Sequence, residues 1–167
     1  MTKRLIFKGI ATALITPTCE TGVDYKKLKK LIDWQIEEGI NALVICGTTG
    51  ESSTLSDLEH RKVIEFSIEA AAGRVPIIAG TGSNETSYAV SLTKEACQAG
   101  ASAALVVTPY YNKTTQKGLI RMYNEIADCS DLPVIIYNVP SRTGLNVEPA
   151  TYEALAEHEN IVAIKEA

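Results

Sequence analysis

Short apolar runs rich in Val, Ile and Ala alternate along the chain with longer stretches whose apolar residues recur at helical spacing. The short runs predict six strands, at residues 9–16, 42–47, 76–80, 103–108, 133–138 and 161–165. The longer stretches predict five helices, at residues 25–38, 56–72, 86–99, 115–129 and 149–157. Strand and helix therefore alternate along the chain, with no linker or low-complexity segment between them.

Residues typical of helix ends support these boundaries. Ser56 and Glu59 fit a capping box, in which the two side chains satisfy free backbone amides of the first helical turn. Gly39, Gly73 and Gly100 directly follow three of the predicted helices, where a left-handed backbone conformation costs glycine least.

The strands recur roughly every 30 residues, which is the size of one βα unit and predicts a parallel sheet with helices outside it. An open doubly wound sheet and a (β/α)8 TIM barrel both fit this pattern. Two features favour the barrel: no GxGxxG turn follows the first strand, and polar residues collect after several different strands. We therefore predict that residues 1–167 form a single domain, the N-terminal part of a TIM barrel, with about six strands and five helices.

The composition is that of a soluble globular protein: of 167 residues, 46% are hydrophobic and 22% are charged, and the net charge is −4. Charges of both signs are mixed along the chain, which argues against nucleic-acid binding, and no apolar run is long enough to cross a membrane. Lys8 interrupts the apolar N-terminal run, so no secretory signal is predicted. Cys19, Cys46, Cys97 and Cys129 lack metal-ligand spacing, which favours reduced thiols in the cytoplasm.

The last predicted strand ends in a lysine. Period-two alternation places Ile161, Ala163 and Lys165 on one face of this strand. If that face lines a barrel lumen, Lys165 projects inward at the carboxyl end of its strand, where barrel enzymes place catalysis. Burial disfavours the charged form of an amine, and a neutral amine can attack a carbonyl to form a Schiff base. The alternative is a lysine that caps the strand and extends its amine to water.

A glycine-rich turn follows the second predicted strand. Gly47 and Gly50 enclose Thr48 and Thr49, which predicts a tight turn with exposed amides and two hydroxyl groups. Such a turn can hold a carboxylate or a phosphate. It lacks the lysine that follows in a nucleotide-binding loop, and an ordinary turn would explain the same residues.

Two further candidates follow the fifth predicted strand. Tyr137 shares a strand face with Ile135, so it points inward near the expected mouth of the barrel. There its hydroxyl can transfer protons, or the ring can simply pack and make one hydrogen bond. Arg142 lies in a loop with Pro140 and Gly144, and its planar guanidinium suits a substrate carboxylate. A surface ion pair is the alternative reading of the arginine.

All these candidates fall at the carboxyl ends of predicted strands. An inward lysine, an inward tyrosine, a turn that bears hydroxyl groups and an arginine together predict a Schiff-base aldolase that acts on an anionic keto acid.

Five motifs, in this order and spacing, resemble the dihydrodipicolinate synthase family of the N-acetylneuraminate lyase superfamily: GTTGES (47–52), AGTGSN (79–84), TPYYNK (108–113), YNVPSRTG (137–144) and IKEA (164–167). The resemblance runs from about Phe7 to Ala167. It implies a TIM-barrel lyase that condenses pyruvate with aspartate 4-semialdehyde to 4-hydroxy-tetrahydrodipicolinate, in diaminopimelate and lysine biosynthesis. No metal and no organic cofactor is implied.

The resemblance also implies catalytic roles. Lys165 forms the Schiff base with pyruvate, and Tyr137 acts as general acid and base. Thr48 links Tyr137 to Tyr111 in a hydroxyl relay, and Tyr111 completes the site of a neighbouring subunit, which implies a homo-oligomer, a dimer or tetramer in the family.

Substrate-binding roles follow from the same motifs. Thr49, in the turn that begins at Gly47, holds the pyruvate carboxylate. Arg142 receives the carboxylate of aspartate semialdehyde at the entrance.

Many family members are inhibited by lysine at a subunit interface, and the matching candidate positions here are Ser52, Ser53, His60, Asn84 and Tyr110. Asp57 and Tyr88 depart from the feedback-sensitive pattern, where a histidine and a glutamate stand. These two departures count against strong inhibition by lysine.

The chain stops directly after the lysine motif, whereas members of the family are considerably longer. We expect unpaired edges on the first and sixth strands and a lumen open to water. Three readings remain open at this point. The chain is a truncated pyruvate-dependent synthase, another pyruvate-dependent aldolase of the superfamily, or a catalytically impaired fragment that acts as an assembly or interaction module.

Overall fold

The computed structural model describes residues 3–167. Its strands are β1 Ala11–Ala13, β2 Thr18–Cys19, β3 Gly22–Val23, β4 Ala42–Ile45, β5 Ile77–Gly80, β6 Ala103–Val107, β7 Val134–Asn138 and β8 Ile161–Glu166. Its helices are α1 Tyr25–Glu37, α2 Asp57–Ala71, α3 Thr86–Ala99, α4 Gln116–Asp128, α5 Pro140–Thr143 and α6 Pro149–Ala156, with a 3-10 turn at Ser52–Thr54.

The six predicted strands and the five predicted helices are all present, although β1 pairs over only the middle of the range predicted for it. The capping box of α2 is confirmed: the Glu59 amide donates to Ser56 Oγ at 3.3 Å, and the Ser56 amide donates to Glu59 Oε2 at 3.0 Å. Gly39, Gly73 and Gly100 have the predicted left-handed φ. The sequence reading missed the β2–β3 hairpin, the 3-10 turn and the four-residue α5, which are too short to show periodicity.

Six strands form one parallel sheet in the order β1-β4-β5-β6-β7-β8, which is simply their order along the chain. A doubly wound sheet would reverse its strand order at a switch point, and this sheet does not. Side chains from all six strands line one shared cavity of about 360 Å³, so the sheet curls into part of a cylinder. The predicted barrel architecture is therefore confirmed, as a partial (β/α) barrel.

The two faces of the sheet carry different side chains. The outer face packs under the helices and includes Leu43, Ile45, Ile77, Ala79, Ala104, Val106, Val134, Ile136 and Ile161. The inner face forms a second apolar cluster, which includes Ala42, Val44, Ile78, Ala103, Leu105, Ile135 and Tyr137. We call the cavity over this inner face the lumen cavity. β4, β5 and β7 are buried at every residue, as expected for parallel strands covered on both sides.

Candidate active site

Lys165 and Tyr137 lie side by side on the inner face. They are cross-strand partners in the β7–β8 ladder, and the Lys165 amine lies 3.9 Å from the centroid of the Tyr137 ring. Lys165 also lines the lumen cavity, with Val44 and Ile135. An ammonium group at this distance over an aromatic face is attracted by the ring, which holds the lysine side chain inward. The structure therefore brings together the two residues on which the sequence prediction depends most.

A β-bulge in β8 sets the face on which Lys165 lies. Val134 pairs with Ile161, but the next residue of β7, Ile135, pairs with Ala163, so β8 contains one extra residue. Ile161 packs in the outer cluster, whereas Ala163 and Lys165 line the lumen cavity. The prediction that Ile161 shares a face with Lys165 is wrong, because the bulge shifts the alternation by one residue. Strict alternation from Ile161 would have turned Lys165 outward.

The turn after β4 is held tightly against the neighbouring strands. The Gly50 amide donates to the Gly47 carbonyl at 3.0 Å, and Thr16 Oγ1 donates to the Gly50 carbonyl at 2.7 Å. A Cβ atom on Gly80 would come within 2.1 Å of the Cys46 carbonyl oxygen, so only glycine allows β5 to approach the turn this closely. The backbone of the turn is thus fixed.

Both threonine side chains of this turn, Thr48 and Thr49, are exposed. Thr48 lines a second cavity of about 260 Å³ at the carboxyl ends of the strands, which we call the mouth cavity. Its complete lining is Thr48, Ser52, Ser53, Gly82, Val107, Tyr110, Val139, Arg142 and Thr143.

The mouth cavity lies directly against the lumen. Val107 and Val139 line the mouth cavity and also pack in the inner apolar cluster. Thr48 and Arg142, which come from loops far apart in the sequence, therefore meet at the opening of the surface that Lys165 faces. The structure does not bring Thr49 into either cavity lining.

Arg142 lies on α5, the short helix that the sequence reading missed. Pro140 at the first position of this helix is typical of a helix start, and Gly144 ends it with a left-handed φ. α5 presents the exposed Arg142 at the mouth. The proline was a usable signal for this helix, but four residues gave no apolar pattern to support it.

Tyr111 points away from both cavities. Its side chain is 91% exposed, and its backbone has a φ of +68°, a conformation that is uncommon for a residue other than glycine. Asn112 fastens this loop by donating from Nδ2 to the Asn84 carbonyl at 2.9 Å. The predicted relay from Tyr137 through Thr48 to Tyr111 is not assembled within this one chain.

Most of the candidate lysine-site residues fall in two places. Ser52, Ser53 and Tyr110 line the mouth cavity, whereas His60 is buried against β5 with its Nε2 atom 2.8 Å from the Gly80 carbonyl. Burial is the main cause that lowers the pKa of His60, so the ring is neutral and donates this hydrogen bond. Asn84 lies in neither place, and its carbonyl accepts a hydrogen bond from Asn112 Nδ2.

The two departing positions, Asp57 and Tyr88, are bonded to each other. The Tyr88 hydroxyl donates to Asp57 Oδ1 at 2.8 Å, and Arg61 Nε donates to the same carboxylate at 2.9 Å. The Arg61 hydrogen bond lowers the pKa of Asp57, and burial followed by the Asp57 contact raises the pKa of Tyr88 to about 12. The Asp57 carboxylate is therefore occupied by two donors, the Tyr88 hydroxyl and the Arg61 guanidinium.

Residues 3–167 contain neither a cluster of metal-binding side chains nor a helix that could span a membrane. No three His, Cys, Asp or Glu side chains of this range are grouped closely enough to hold a metal ion. None of its helices combines the length and apolar character needed to cross a membrane.

The fold and the site together define a class, the (β/α)-barrel proteins whose polar side chains gather at the carboxyl ends of parallel strands. The model of the dihydrodipicolinate synthetase family matches residues 6–167, and the chain belongs to this family. The resemblance drawn from the five motifs is therefore confirmed.

Individual relatives agree. The 4-hydroxy-tetrahydrodipicolinate synthase of Acetivibrio thermocellus is 58% identical over 164 residues, 98% of this chain and 56% of the relative. The crystal structure of dihydrodipicolinate synthase from Aquifex aeolicus superposes with a TM-score of 0.95 at 52% identity, over 96% of this chain and 55% of that one. The chloride-inhibited enzyme from Acinetobacter baumannii, complexed with pyruvate, gives a TM-score of 0.93 at 54% identity, over 95% and 55% of the two chains. The chain thus spans just over half the length of the relatives it matches.

Proposed function

We propose that this chain carries the Schiff-base lysine of a 4-hydroxy-tetrahydrodipicolinate synthase, a lyase that condenses pyruvate with aspartate 4-semialdehyde in diaminopimelate and lysine biosynthesis in the cytoplasm. The observation that carries the proposal is the inward pair of Lys165 and Tyr137 at the carboxyl ends of β8 and β7. Relatives that are 55–58% identical bear the name of this enzyme, and the similar Acinetobacter baumannii protein binds pyruvate.

The first step is attack of the Lys165 amine on the C2 carbonyl of pyruvate. A carbinolamine forms and loses water, which leaves an imine between Nζ and C2. Lys165 is suited to this step because it faces the lumen cavity, which apolar side chains of all six strands line. The Tyr137 ring beside the amine limits the directions that the lysine side chain can take.

Tyr137 is the proton carrier of this step. Its ring is 94% buried and lies within reach of the lysine amine, so its hydroxyl can exchange protons with the carbinolamine and with C3 of the resulting enamine. Proton transfer by a positioned group of this kind typically contributes on the order of 10²- to 10⁴-fold in rate.

Two charged ends of the substrates need partners. The turn at residues 47–50 offers backbone amides and the hydroxyl of Thr48, which lines the mouth cavity, to the pyruvate carboxylate. Arg142, across the mouth cavity from this turn, offers a planar cation to the carboxylate of aspartate semialdehyde. The enamine carbon then adds to the aldehyde, and the amine of that substrate displaces Lys165 as the ring closes.

A homo-oligomer fits the exposed Tyr111. An aromatic side chain that is 91% exposed on a backbone with positive φ has no packing role in its own chain, which supports a contact with a second copy. In that assembly Tyr111 completes the hydroxyl relay of the neighbouring site.

Feedback by lysine is expected to be weak. The Asp57 carboxylate already accepts hydrogen bonds from the Tyr88 hydroxyl and from Arg61, so the polar groups of both positions are engaged. Calorimetric titration with L-lysine checks this: no saturable heat is expected, and tight binding would contradict it.

Reduction with borohydride in the presence of pyruvate tests the function. The hydride reduces the imine carbon and leaves one carboxyethyl group on the lysine nitrogen, which peptide mapping assigns to a residue. We expect this adduct on Lys165 of the 167-residue chain and none on the Lys165→Arg variant. Lys113→Arg is the matched control, because Lys113 is an exposed lysine of the nearby loop after β6, and its adduct yield should equal that of the parent.

A second experiment tests whether trapping of pyruvate at Lys165 requires a complete barrel. It repeats the trapping with a chimera in which the matching remainder of the Acetivibrio thermocellus relative follows Ala167. An adduct on Lys165 in either protein supports the proposal. Absence of the adduct from both, under conditions that trap the relative, overturns it in favour of a non-catalytic interaction module.

A further inference from the structure

The residue after the lysine is fixed on the opposite face of β8. Glu166 is the cross-strand partner of Asn138, just as Lys165 is the partner of Tyr137. The Glu166 carboxylate accepts hydrogen bonds from Asn138 Nδ2 at 3.0 and 3.3 Å, and it accepts a further one from the Tyr152 hydroxyl of α6. Of the last two residues of β8, Lys165 therefore faces the lumen and Glu166 makes its hydrogen bonds outside it.

The partners of Glu166 are themselves held in place. Asn138 is 2% exposed, its Oδ1 accepts from the Val147 amide at 3.2 Å, and its Nδ2 also donates to Asn146 Oδ1 at 2.8 Å. Because Oδ1 faces an N–H group, the amide orientation of Asn138 is fixed and its Nδ2 must face Glu166. Burial and the Glu166 contact both raise the pKa of Tyr152, so its hydroxyl remains a donor.

The end of β8 needs such fastening more than the end of β7. Within the described residues β8 pairs with β7 alone, and its middle residues Ala163 and Ile164 are exposed. A strand that is paired on one side only has fewer neighbours to fix the direction of its side chains. The backbone bond from the Ala167 amide to the Asn138 carbonyl, at 3.1 Å, is the last rung of the ladder. The Glu166 side chain adds three hydrogen bonds at the same place.

We propose that Glu166 is a positioning residue for Lys165. Its bonds to Asn138 and Tyr152 hold the end of β8 against rotation, so that the lysine amine stays over the Tyr137 ring and faces the lumen. The same network ties β8 to the loop at residues 144–148, which follows α5. It therefore holds Lys165 on β8 and Arg142 on α5 in a constant position relative to each other. This inference rests on the proposed function, since it concerns the orientation of the Schiff-base lysine.

Rotation of a strand end displaces the reacting nitrogen, and displacement of a reacting group by about 1 Å can cost on the order of 10²-fold in rate. We therefore expect Glu166→Ala to slow the saturating rate of pyruvate trapping at Lys165 about 10²-fold. Glu166→Gln retains one acceptor oxygen and should therefore restore part of this rate. The pyruvate concentration at half-maximal trapping should change much less than the saturating rate, because Glu166 does not touch the substrate.

Tyr152→Phe gives an independent route to the same network. It removes one hydrogen bond and preserves the ring, so we expect a smaller loss in trapping rate. The double variant with Glu166→Ala should be no slower than Glu166→Ala alone, since both act through one contact. Glu159→Ala is the matched control, because Glu159 is an exposed acid just before β8, and the parent rate is expected.

The outcomes are distinguishable from failure of the proposed function. If the parent chain and the chimera both form no adduct, the function itself fails. If the parent traps pyruvate and Glu166→Ala traps it equally fast, the positioning role is overturned. If Glu166→Ala lowers the melting temperature and Glu166→Gln gives no recovery of the trapping rate at a temperature where both are folded, the role is structural only and the inference is likewise overturned.

Discussion

β7 and β8 are neighbouring strands that each present one reactive side chain to the lumen, yet they are held in different ways. β7 lies between two strands and is buried at all five residues, so Tyr137 has its direction from the fold itself. β8 is paired on one side within the described residues, and Ile164 in its middle is 49% exposed. The direction of the Lys165 side chain is set instead by the bulge in β8, by the contact with the Tyr137 ring and by the hydrogen bonds of the neighbouring Glu166. The comparison teaches that Tyr137, the proposed acid–base residue, is part of the core, whereas Lys165, the proposed nucleophile, depends on a few local features.

Deletion of Val162 should have the largest effect, because it changes the direction of the Lys165 side chain. It removes the extra residue of the bulge, and strict alternation from the buried Ile161 then turns Lys165 to the outer face. We expect complete loss of pyruvate trapping at Lys165, measured by borohydride reduction and peptide mapping. Val162→Ala keeps the residue count and should trap normally. Unchanged trapping in the deletion variant, with a retained circular dichroism spectrum, would show that the bulge does not set the direction of the lysine.

Tyr137→Phe separates the hydroxyl from the ring. The ring stays under the Lys165 amine, so the lysine remains inward, but proton transfer is lost and the trapping rate should fall by on the order of 10²- to 10⁴-fold. Tyr123→Phe is the control: its buried hydroxyl donates to the Val106 carbonyl at 2.9 Å, so its loss should cost about 1 kcal/mol of stability and leave trapping unchanged. Equal trapping by Tyr137→Phe and the parent would remove Tyr137 from the chemistry.

Ile136 and Ile164 allow a direct comparison of the packing of the two strands, because they are cross-strand partners and both line a pocket beside α6. Ile136 is 1% exposed and Ile164 is 49% exposed. We expect Ile136→Ala to lower the free energy of unfolding by about 2–5 kcal/mol, and Ile164→Ala to lower it by less than about 1 kcal/mol. Urea denaturation measures both values. Equal losses would mean that β8 is packed as firmly as β7.

The smallest expected effect is a pH-dependent loss of stability caused by His60, a residue that lies away from β8. Its buried ring has a pKa below the ordinary value of 6.5, so the unfolded chain takes up a proton on this residue before the folded chain does. The stability due to the neutral ring is complete above pH 6.5 and is lost as the pH falls from there through the folded-state pKa. The parent should therefore lose stability over this range relative to His60→Gln, which does not titrate. Parallel stability–pH curves would contradict the assignment.

The regular parts of the molecule followed from the sequence, since long amphipathic helices and buried strands repeat their pattern many times. The inward direction of Tyr137 also followed, because β7 alternates without interruption. The direction of Lys165 was predicted correctly but for a wrong reason, because a bulge depends on pairing with β7 and leaves no mark in the apolar pattern of β8.

Contacts between loops that are distant in the sequence were the second feature that could not be predicted from the residue pattern. The meeting of Thr48 and Arg142 at one cavity followed only from the general rule that strand ends gather. The exposure of Tyr111 was implied by the family resemblance alone, since nothing in the pattern of residues indicated it. The roles of Glu166 and Tyr152 were missed as well. Alternation on two neighbouring strands places Asn138 and Glu166 outside, next to the inward pair, and this was a usable signal once the register was known.

The most direct test of the central claim is a crystal structure of the protein after reduction with borohydride in the presence of pyruvate. We expect continuous density from Lys165 Nζ to C2 of the former pyruvate, inside the lumen and beside Tyr137, with the carboxylate directed to the turn at residues 47–50. Density on another lysine, or a modified Lys165 that points to the outer face of the sheet, would contradict it.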